Sequence, residues 1–149
     1  MAEINIRIMT VEDIGSVAQL EQETFTEPWS ENVYRQTLAL DGVVYVVAED
    51  GNRIVGACGV RNIAGEGEIT NVMTRTEYRR QKIAEKMLAR LLSEGEKIGI
   101  ADFTLEVRKS NYPAILLYEK LGFETEGVRP GFYSHPSEDA LIMWKRNKD

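Results

Sequence analysis

Between Glu68 and Val107 the apolar pattern changes period twice, and this constrains the fold more than any other feature of the chain. Residues 68 to about 73 read as a strand. Ile83, Met87, Leu88, Leu91, Leu92 and Ile98 then mark one stripe of a long helix, closed by Gly99 where a C-terminal glycine is expected. Phe103, Leu105 and Val107 return to the two-residue alternation of a strand. Strand, helix and strand in succession make a crossover, which demands at least one parallel pair. Ahead of it, residues 43–49 and 53–63 answer each other across the turn Asp50-Gly51-Asn52, and Gly65-Glu66-Gly67 turns into the crossover strand. That is an antiparallel meander feeding a parallel crossover, hence a mixed α+β sheet covered by helices.

The flanking segments complete the order. Ile4, Ile6 and Ile8 alternate with Asn5 and Arg7 as a half-buried strand. Thr10, with Asp13 three residues on, caps a first helix in which Ile14, Val17, Ala18 and Glu21 share a face. Thr26-Glu27-Pro28-Trp29 breaks the pattern, and Ser30 caps a second helix running to about Leu40. Ser110-Asn111 caps a short helix with Pro113 in its first turn, where proline is tolerated, ending at Gly122. Strands follow near residues 123–128 and 140–145, joined by a loop over residues 129–139. The order β-α-α-β-β-β-α-β-α-β-β predicts one domain over residues 1–149, with a mixed, mostly antiparallel sheet of six to seven strands and four helices.

Composition excludes several classes. With 43% apolar and 28% charged residues in 149, the chain has the balance of a folded domain rather than a disordered one. Its longest unbroken apolar run, residues 43–48, is far short of the ~20 residues a membrane helix needs. The opening Met1-Ala2-Glu3-Ile4-Asn5-Ile6 carries no basic start and no apolar signal core, so a cytoplasmic protein is expected. One cysteine, Cys58, and one histidine, His135, offer neither a disulfide framework nor a structural zinc site. The formal charge of −6 argues against grip on a nucleic-acid backbone. It suits a small anionic ligand held locally, or a basic protein partner.

Three segments can carry chemistry. In residues 70–84 a strand runs through Arg79-Arg80-Gln81-Lys82 into the long helix. Free backbone N–H groups and the positive end of a helix dipole meet there, which suits a pyrophosphate, although basic pairs at helix starts are commonly plain solvated surface. In Phe103-Thr104-Leu105-Glu106-Val107, Glu106 shares a face with Thr104. A lone strand glutamate usually faces solvent, but one lining a cleft can accept a proton. Tyr118, on the apolar helix after Asn111, is core by default, yet a buried hydroxyl needs a partner that a cleft can supply.

In this order the three segments resemble the GNAT N-acetyltransferases. The resemblance implies acetyl-CoA as co-substrate, its pantetheine arm pairing with the strand before the long helix. A loop Arg/Gln-x-x-Gly-x-Gly/Ala then wraps the pyrophosphate. Here the loop reads Arg79-Arg80-Gln81-Lys82-Ile83-Ala84, with Lys82 where Gly is usual. Glycine there permits close approach or positive φ. Lys82 either takes the same conformation at some cost, leaving a cation near a phosphate, or weakens cofactor binding.

A narrower likeness covers almost the whole chain. Pro28-Trp29-Ser30, Thr70-Asn71-Val72, Leu105-Glu106-Val107-Arg108-Lys109-Ser110-Asn111, Leu117-Tyr118-Glu119-Lys120-Leu121-Gly122-Phe123 and Phe132-Tyr133 with Glu138-Asp139-Ala140 are similar to the bacterial RimI-type ribosomal-protein-alanine N-acetyltransferases. The likeness implies acetyl transfer to the N-terminal alanine of a small-subunit ribosomal protein, with Glu106 as proton acceptor and Tyr118 as proton donor. It further implies contacts to acetyl-CoA from Val72, Met73, Thr74, Arg79, Arg80, Gln81, Lys82, Ile83, Ala84, Glu85 and Asn111. Trp29, Asn71 and Tyr133 would line the peptide site. Neither a metal nor a cysteine nucleophile is required. The chemistry agrees, since an α-amine of pKa about 7.7–8.0 is partly neutral at physiological pH and one carboxylate suffices to take its proton. Acetylation of a small amine or polyamine, and noncatalytic acyl-CoA binding, are the alternatives.

Other residues read as structural first. Cys58 is a buried inert thiol and His135 a surface loop residue. Trp29 is either a packing anchor or part of the peptide wall, and Tyr133 either caps a core or closes over the incoming N-terminus. Glu27 and Asp139 draw in a basic partner or merely solubilise. A monomer suffices for this chemistry, and nothing in the sequence fixes the oligomeric state.

Overall fold

The computed structural model describes residues 3–147, so Met1 and Ala2 of the opening stretch lie outside the described residues. The elements run β1 (Ile4–Ile8), α1 (Ile14–Thr24), α2 (Glu31–Leu38), β2 (Val43–Asp50), β3 (Arg53–Ile63), β4 (Glu66–Thr74), α3 (Ile83–Lys97), β5 (Asp102–Arg108), α4 (Tyr112–Lys120), β6 (Glu124–Tyr133) and β7 (Glu138–Lys145). Short 3-10 turns at Val11–Asp13 and Thr76–Tyr78 lead into α1 and follow β4. The seven strands form one sheet in the order β1-β2-β3-β4-β5-β7-β6. Among the described residues only β4 and β5 pair in parallel, as the crossover through α3 requires.

Alternation along the strands divides the core in two. Val46 and Ala48 of β2 join Val55, Cys58 and Val60 of β3 and Phe103, Leu105 and Val107 of β5 on the face covered by α3 and α4. Tyr45 and Val47 point the other way, with Ala57 and Met73, under α1 and α2. Met87, Leu88 and Leu91 of α3 are fully buried, worth roughly 1.5–3 kcal/mol each relative to exposure. Gly95 lets α3 settle onto β5, because a Cβ there would stand 2.7 Å from Cε2 of Phe103. Ser30 Oγ accepts from Val33 N (3.2 Å) to start α2, and Asn111 Oδ1 accepts from Ala114 N (3.3 Å) to start α4.

The predicted element order and the mixed seven-stranded sheet with four helices are observed, with three corrections. The loop expected over 129–139 is mostly strand, with β6 running on to Tyr133 and β7 starting at Glu138. β6 is an exposed edge with no buried residue and an irregular register between Arg129 and Tyr133, so its alternation carries no hydrophobic signal. Gly67 belongs to β4 rather than to a turn, packed where a Cβ would meet Ile100 and Val60 at 2.9 Å. α2 stops at Leu38, two residues early.

Candidate active site

The parallel pairing of β4 with β5 is brief. It covers Glu66↔Asp102, Gly67↔Phe103 and Glu68↔Thr104 and then stops. β4 stays with β3, but its register slips between Ala57 and Gly59, so that Asn71 and Val72 together oppose Cys58. This bulge holds Asn71 at φ +58°, the left-handed region that asparagine tolerates better than most residues. Beyond it the later halves of β4 and β5 share no ladder, and the sheet has a slot between them.

Glu106 and Tyr118 lie on opposite faces of the sheet. On β5, Phe103, Leu105 and Val107 are buried toward α3 and α4, while Thr104, Glu106 and Arg108 are half-buried on the other face. Glu106 Oε2 is sealed from solvent, has no hydrogen-bond partner, and lies 3.4 Å from Arg129 Nε on β6. Tyr118 lies in the α3/α4 core, its ring 5.9 Å from that of Phe123. Burial pushes its hydroxyl pKa up, with Cys58 and Tyr133 adding to the rise. Tyr133 is raised by burial and then by Glu106. The Tyr133 phenol is thus the shared electrostatic neighbour of Glu106 and Tyr118. Arg108 holds it, with the guanidinium 4.4 Å from the Tyr133 ring while Nη1 donates to Pro136 O (3.0 Å) and Glu138 Oε1 (3.3 Å).

The helix-entry loop has the form of an anion cradle. Arg75 ties its start to Glu23 (3.0 Å) and to Ile54 O (3.0 Å), and Tyr78 donates to Asp50 Oδ2 (2.5 Å). Arg80 and Lys82 both take positive φ, +69° and +61°. Lys82 therefore adopts the backbone conformation that glycine usually supplies. It is also the N-cap of α3 and caps with no side chain, so the first N–H groups, on Ile83, Ala84 and Glu85, have no intrahelical acceptor. Arg79, Arg80, Gln81 and Lys82 are exposed around them. Consecutive amides of this kind with flanking cations suit a diphosphate. The residues present fit the pyrophosphate of a nucleotide-like carrier.

The remaining expected site residues divide. Val72 and Thr74 are half-buried along the slot, but the Met73 side chain is in the core, so only its backbone is available. Glu85 pairs with Lys120 at 2.9 Å, and Asn111 spends its carbonyl oxygen on the α4 cap. Trp29 packs edge-on against Tyr34, with centroids 5.4 Å apart. Two open surface clefts, of about 590 Å³ beside Asp50, Arg53 and Arg75 and about 430 Å³ beside Ile8, Met9 and Tyr45, contain neither Glu106 nor Tyr118. Cys58 is fully buried, as expected, and its thiol pKa is raised by that burial.

Sequence reasoning missed Glu21 and Arg129. Glu21 is only 2% exposed and accepts from Tyr34 Oη, from Trp29 N (2.7 Å) and from Asn71 Nδ2 (2.9 Å). Its signal was a charged residue at an apolar-face position beside Ile14, Val17 and Ala18. Arg129 was hidden in the segment read as loop.

The pattern of the acetyltransferase (GNAT) family matches residues 14–123. A Bacillus subtilis relative is 35% identical over 140 residues, covering 93% of each chain. An Escherichia coli relative, ribosomal protein bS18-alanine N-acetyltransferase, is 32% identical over 133 residues, covering 88% of this chain and 89% of its own. The crystal structure of the ribosomal-protein-S18-alanine N-acetyltransferase from Escherichia coli superposes with a TM-score of 0.88 at 28% identity, over 99% of this chain and 96% of that one. The slot, the uncapped helix start and these matches together place the chain in the acetyltransferase (GNAT) family, as an acetyl-CoA-dependent N-acetyltransferase.

Proposed function

We propose that this enzyme acetylates the N-terminal alanine of a small-subunit ribosomal protein of the bS18 kind, acting in the cytoplasm where that protein is made. The observation that carries the reading is the match, over nearly nine-tenths of both chains, to the Escherichia coli enzyme named for that reaction.

Each proposed role has a physical basis. Acetyl-CoA, when bound, supplies an acetyl thioester. The N–H groups of Ile83, Ala84 and Glu85, with Arg79, Arg80, Gln81 and Lys82 around them, would hold its diphosphate; Val72, Met73 and Thr74 would line its arm, and Asn111 would contact it through Nδ2, its Oδ1 being used by the α4 cap. Glu106 takes the proton of the incoming α-amine at Oε1, since Oε2 is sealed from solvent beside Arg129. A backbone N–H of β4 at Val72, in the bulge beyond the last β4–β5 pair, would donate to the carbonyl oxygen where charge develops. Tyr118 returns a proton to the departing sulfur. Its raised pKa keeps the hydroxyl protonated until then. Trp29 and Asn71 on one side and Tyr133 on the other bound the peptide entrance. Glu27 joins those sides, accepting from Ser134 Oγ at 3.1 Å and lying 3.3 Å from His135 Nδ1.

The test is acetyl transfer from acetyl-CoA to a peptide carrying the first residues of bS18, read by mass spectrometry. Acetylation of the alanine α-amine is expected. Turnover of spermidine with no peptide product would replace this reading with polyamine acetylation.

A further inference from the structure

Glu21 stands outside the catalytic pair, yet it is the most deeply buried carboxylate among the described residues. Three donors converge on its two oxygens. Oε2 accepts from the backbone N–H of Trp29, in the segment between α1 and α2. Oε1 accepts from the hydroxyl of Tyr34 on α2 and from the side-chain amide of Asn71, the left-handed residue of the β4 bulge. Asn71 Oδ1 in turn accepts from Tyr45 Oη at 2.8 Å, and Tyr45 Oη also meets Thr70 Oγ1 at 3.2 Å. Tyr45 reaches this position by lying flat on Gly59, where a Cβ would come within 2.2 Å of its ring. Burial raises the hydroxyl pKa of both Tyr34 and Tyr45, so both remain donors.

The cost of burying such a carboxylate is large unless every lone pair is used. A leucine would fill the same helical position beside Val17, Ala18 and Leu20 without that demand. What the carboxylate adds is a connection between two parts of the site that share no ladder: the Trp29 segment and the bulge that opens the slot and aims Val72 and Met73.

We propose that Glu21 is a positioning residue that sets the peptide wall and the β4 amide strand in one register. Through Trp29 N it fixes where the peptide lies. Through Asn71 it fixes the bulge, and so the amide that faces the reacting carbonyl. The proposal rests on the acetyl-transfer reading above and extends it to a residue that touches neither substrate.

The experiment compares the natural enzyme with Glu21→Gln, Asn71→Gly and Tyr34→Phe on the alanine peptide, with acetyl-CoA affinity measured separately by calorimetry. In Glu21→Gln the amide nitrogen meets another donor in either orientation, at Trp29 N or at Asn71 Nδ2. Peptide KM is expected to rise about tenfold and kcat to fall about tenfold, because leaving a buried donor unpaired is that costly, with acetyl-CoA affinity within about twofold. Asn71→Gly keeps the positive φ without strain and cuts the bulge side, with the Tyr45 Oη bond; kcat falls. Tyr34→Phe leaves the Trp29 and Asn71 bonds intact and lowers only the melting temperature. A Glu21→Gln enzyme that melts earlier but keeps its peptide KM and kcat would overturn the proposal. If that variant does not fold, an unchanged kcat in Asn71→Gly overturns it instead. A natural enzyme that acetylates spermidine and no peptide would refute the alanine reading alone, and the same variants are then compared on spermidine. Hydrogen exchange at Trp29 N decides independently of any activity: protection should drop at least about tenfold in Glu21→Gln while β3 amides hold, and retained protection overturns the proposal.

Discussion

Arg129 Nε stands 3.4 Å from Glu106 Oε2, close enough for an ion pair but without hydrogen-bond geometry, and no other group satisfies that oxygen. Oε2 is closed to solvent while the side chain is about a quarter exposed, so an incoming amine meets the carboxylate at Oε1. Glu106→Gln preserves the size and the neighbours and removes the base. We expect kcat/KM for the peptide to fall about 10²–10⁴-fold near neutral pH. The loss should shrink as pH rises past the α-amine's own pKa of about 7.7–8.0, where the nucleophile is neutral without help. A loss independent of pH in steady-state profiles counts against Glu106 as base.

The Tyr118 hydroxyl makes no hydrogen bond among the described residues, although the residue is only 6% exposed. A hydroxyl that makes no protein hydrogen bond adds little to stability, so Tyr118→Phe should leave the melting temperature nearly unchanged. Turnover should nonetheless drop at least about tenfold, with acetyl-CoA affinity unchanged. An unaltered rate removes Tyr118 from the mechanism.

The fold was legible in the sequence wherever one face is buried. The stripe from Ile83 to Leu92 and the alternation of Phe103, Leu105 and Val107 located α3 and β5 because water exclusion imposes those periods. β6 was cut short because an exposed edge strand imposes none. For the site, local pattern placed the helix-entry loop and singled out Glu106 and Tyr118 as candidates. It could not place the slot, which depends on where β4 and β5 stop pairing, nor the meeting of Glu21 with Asn71 fifty positions away. Pairing across such separations is tertiary information that no local period carries.

Lys82 sits at φ +61°, a conformation that costs a residue with a Cβ about 1–2 kcal/mol. The loop is thus already in the form that glycine would give it, and the lysine retains its charge beside the α3 amides. Lys82→Gly is expected to weaken acetyl-CoA binding about two- to fivefold at low ionic strength, with the difference fading at 1 M salt. Lys82→Val, β-branched and poorly suited to this region, should weaken it further at any salt. Markedly tighter binding by Lys82→Gly in calorimetry would show instead that the lysine is a handicap.

Asp13, at the start of the helix that carries Glu21, receives a two-pronged contact from Arg7, Nη1 to Oδ2 and Nη2 to Oδ1, both 2.8 Å, and also accepts from Thr10 N at 2.8 Å. The Arg7 hydrogen bonds, chiefly, hold its carboxyl pKa below the usual value. A carboxyl whose pKa is lower in the folded than in the unfolded chain contributes stability above the unfolded value, about pH 4, and that contribution disappears as pH falls through the folded value. Asp13→Asn should therefore cost about 2 kcal/mol at pH 7. The natural protein and the variant should converge in stability as pH falls from 4 toward 2. Urea unfolding at pH 7, 5, 4 and 3 tests this, and a stability gap that stays constant across the series would show that the Arg7 contact does not carry the pH dependence.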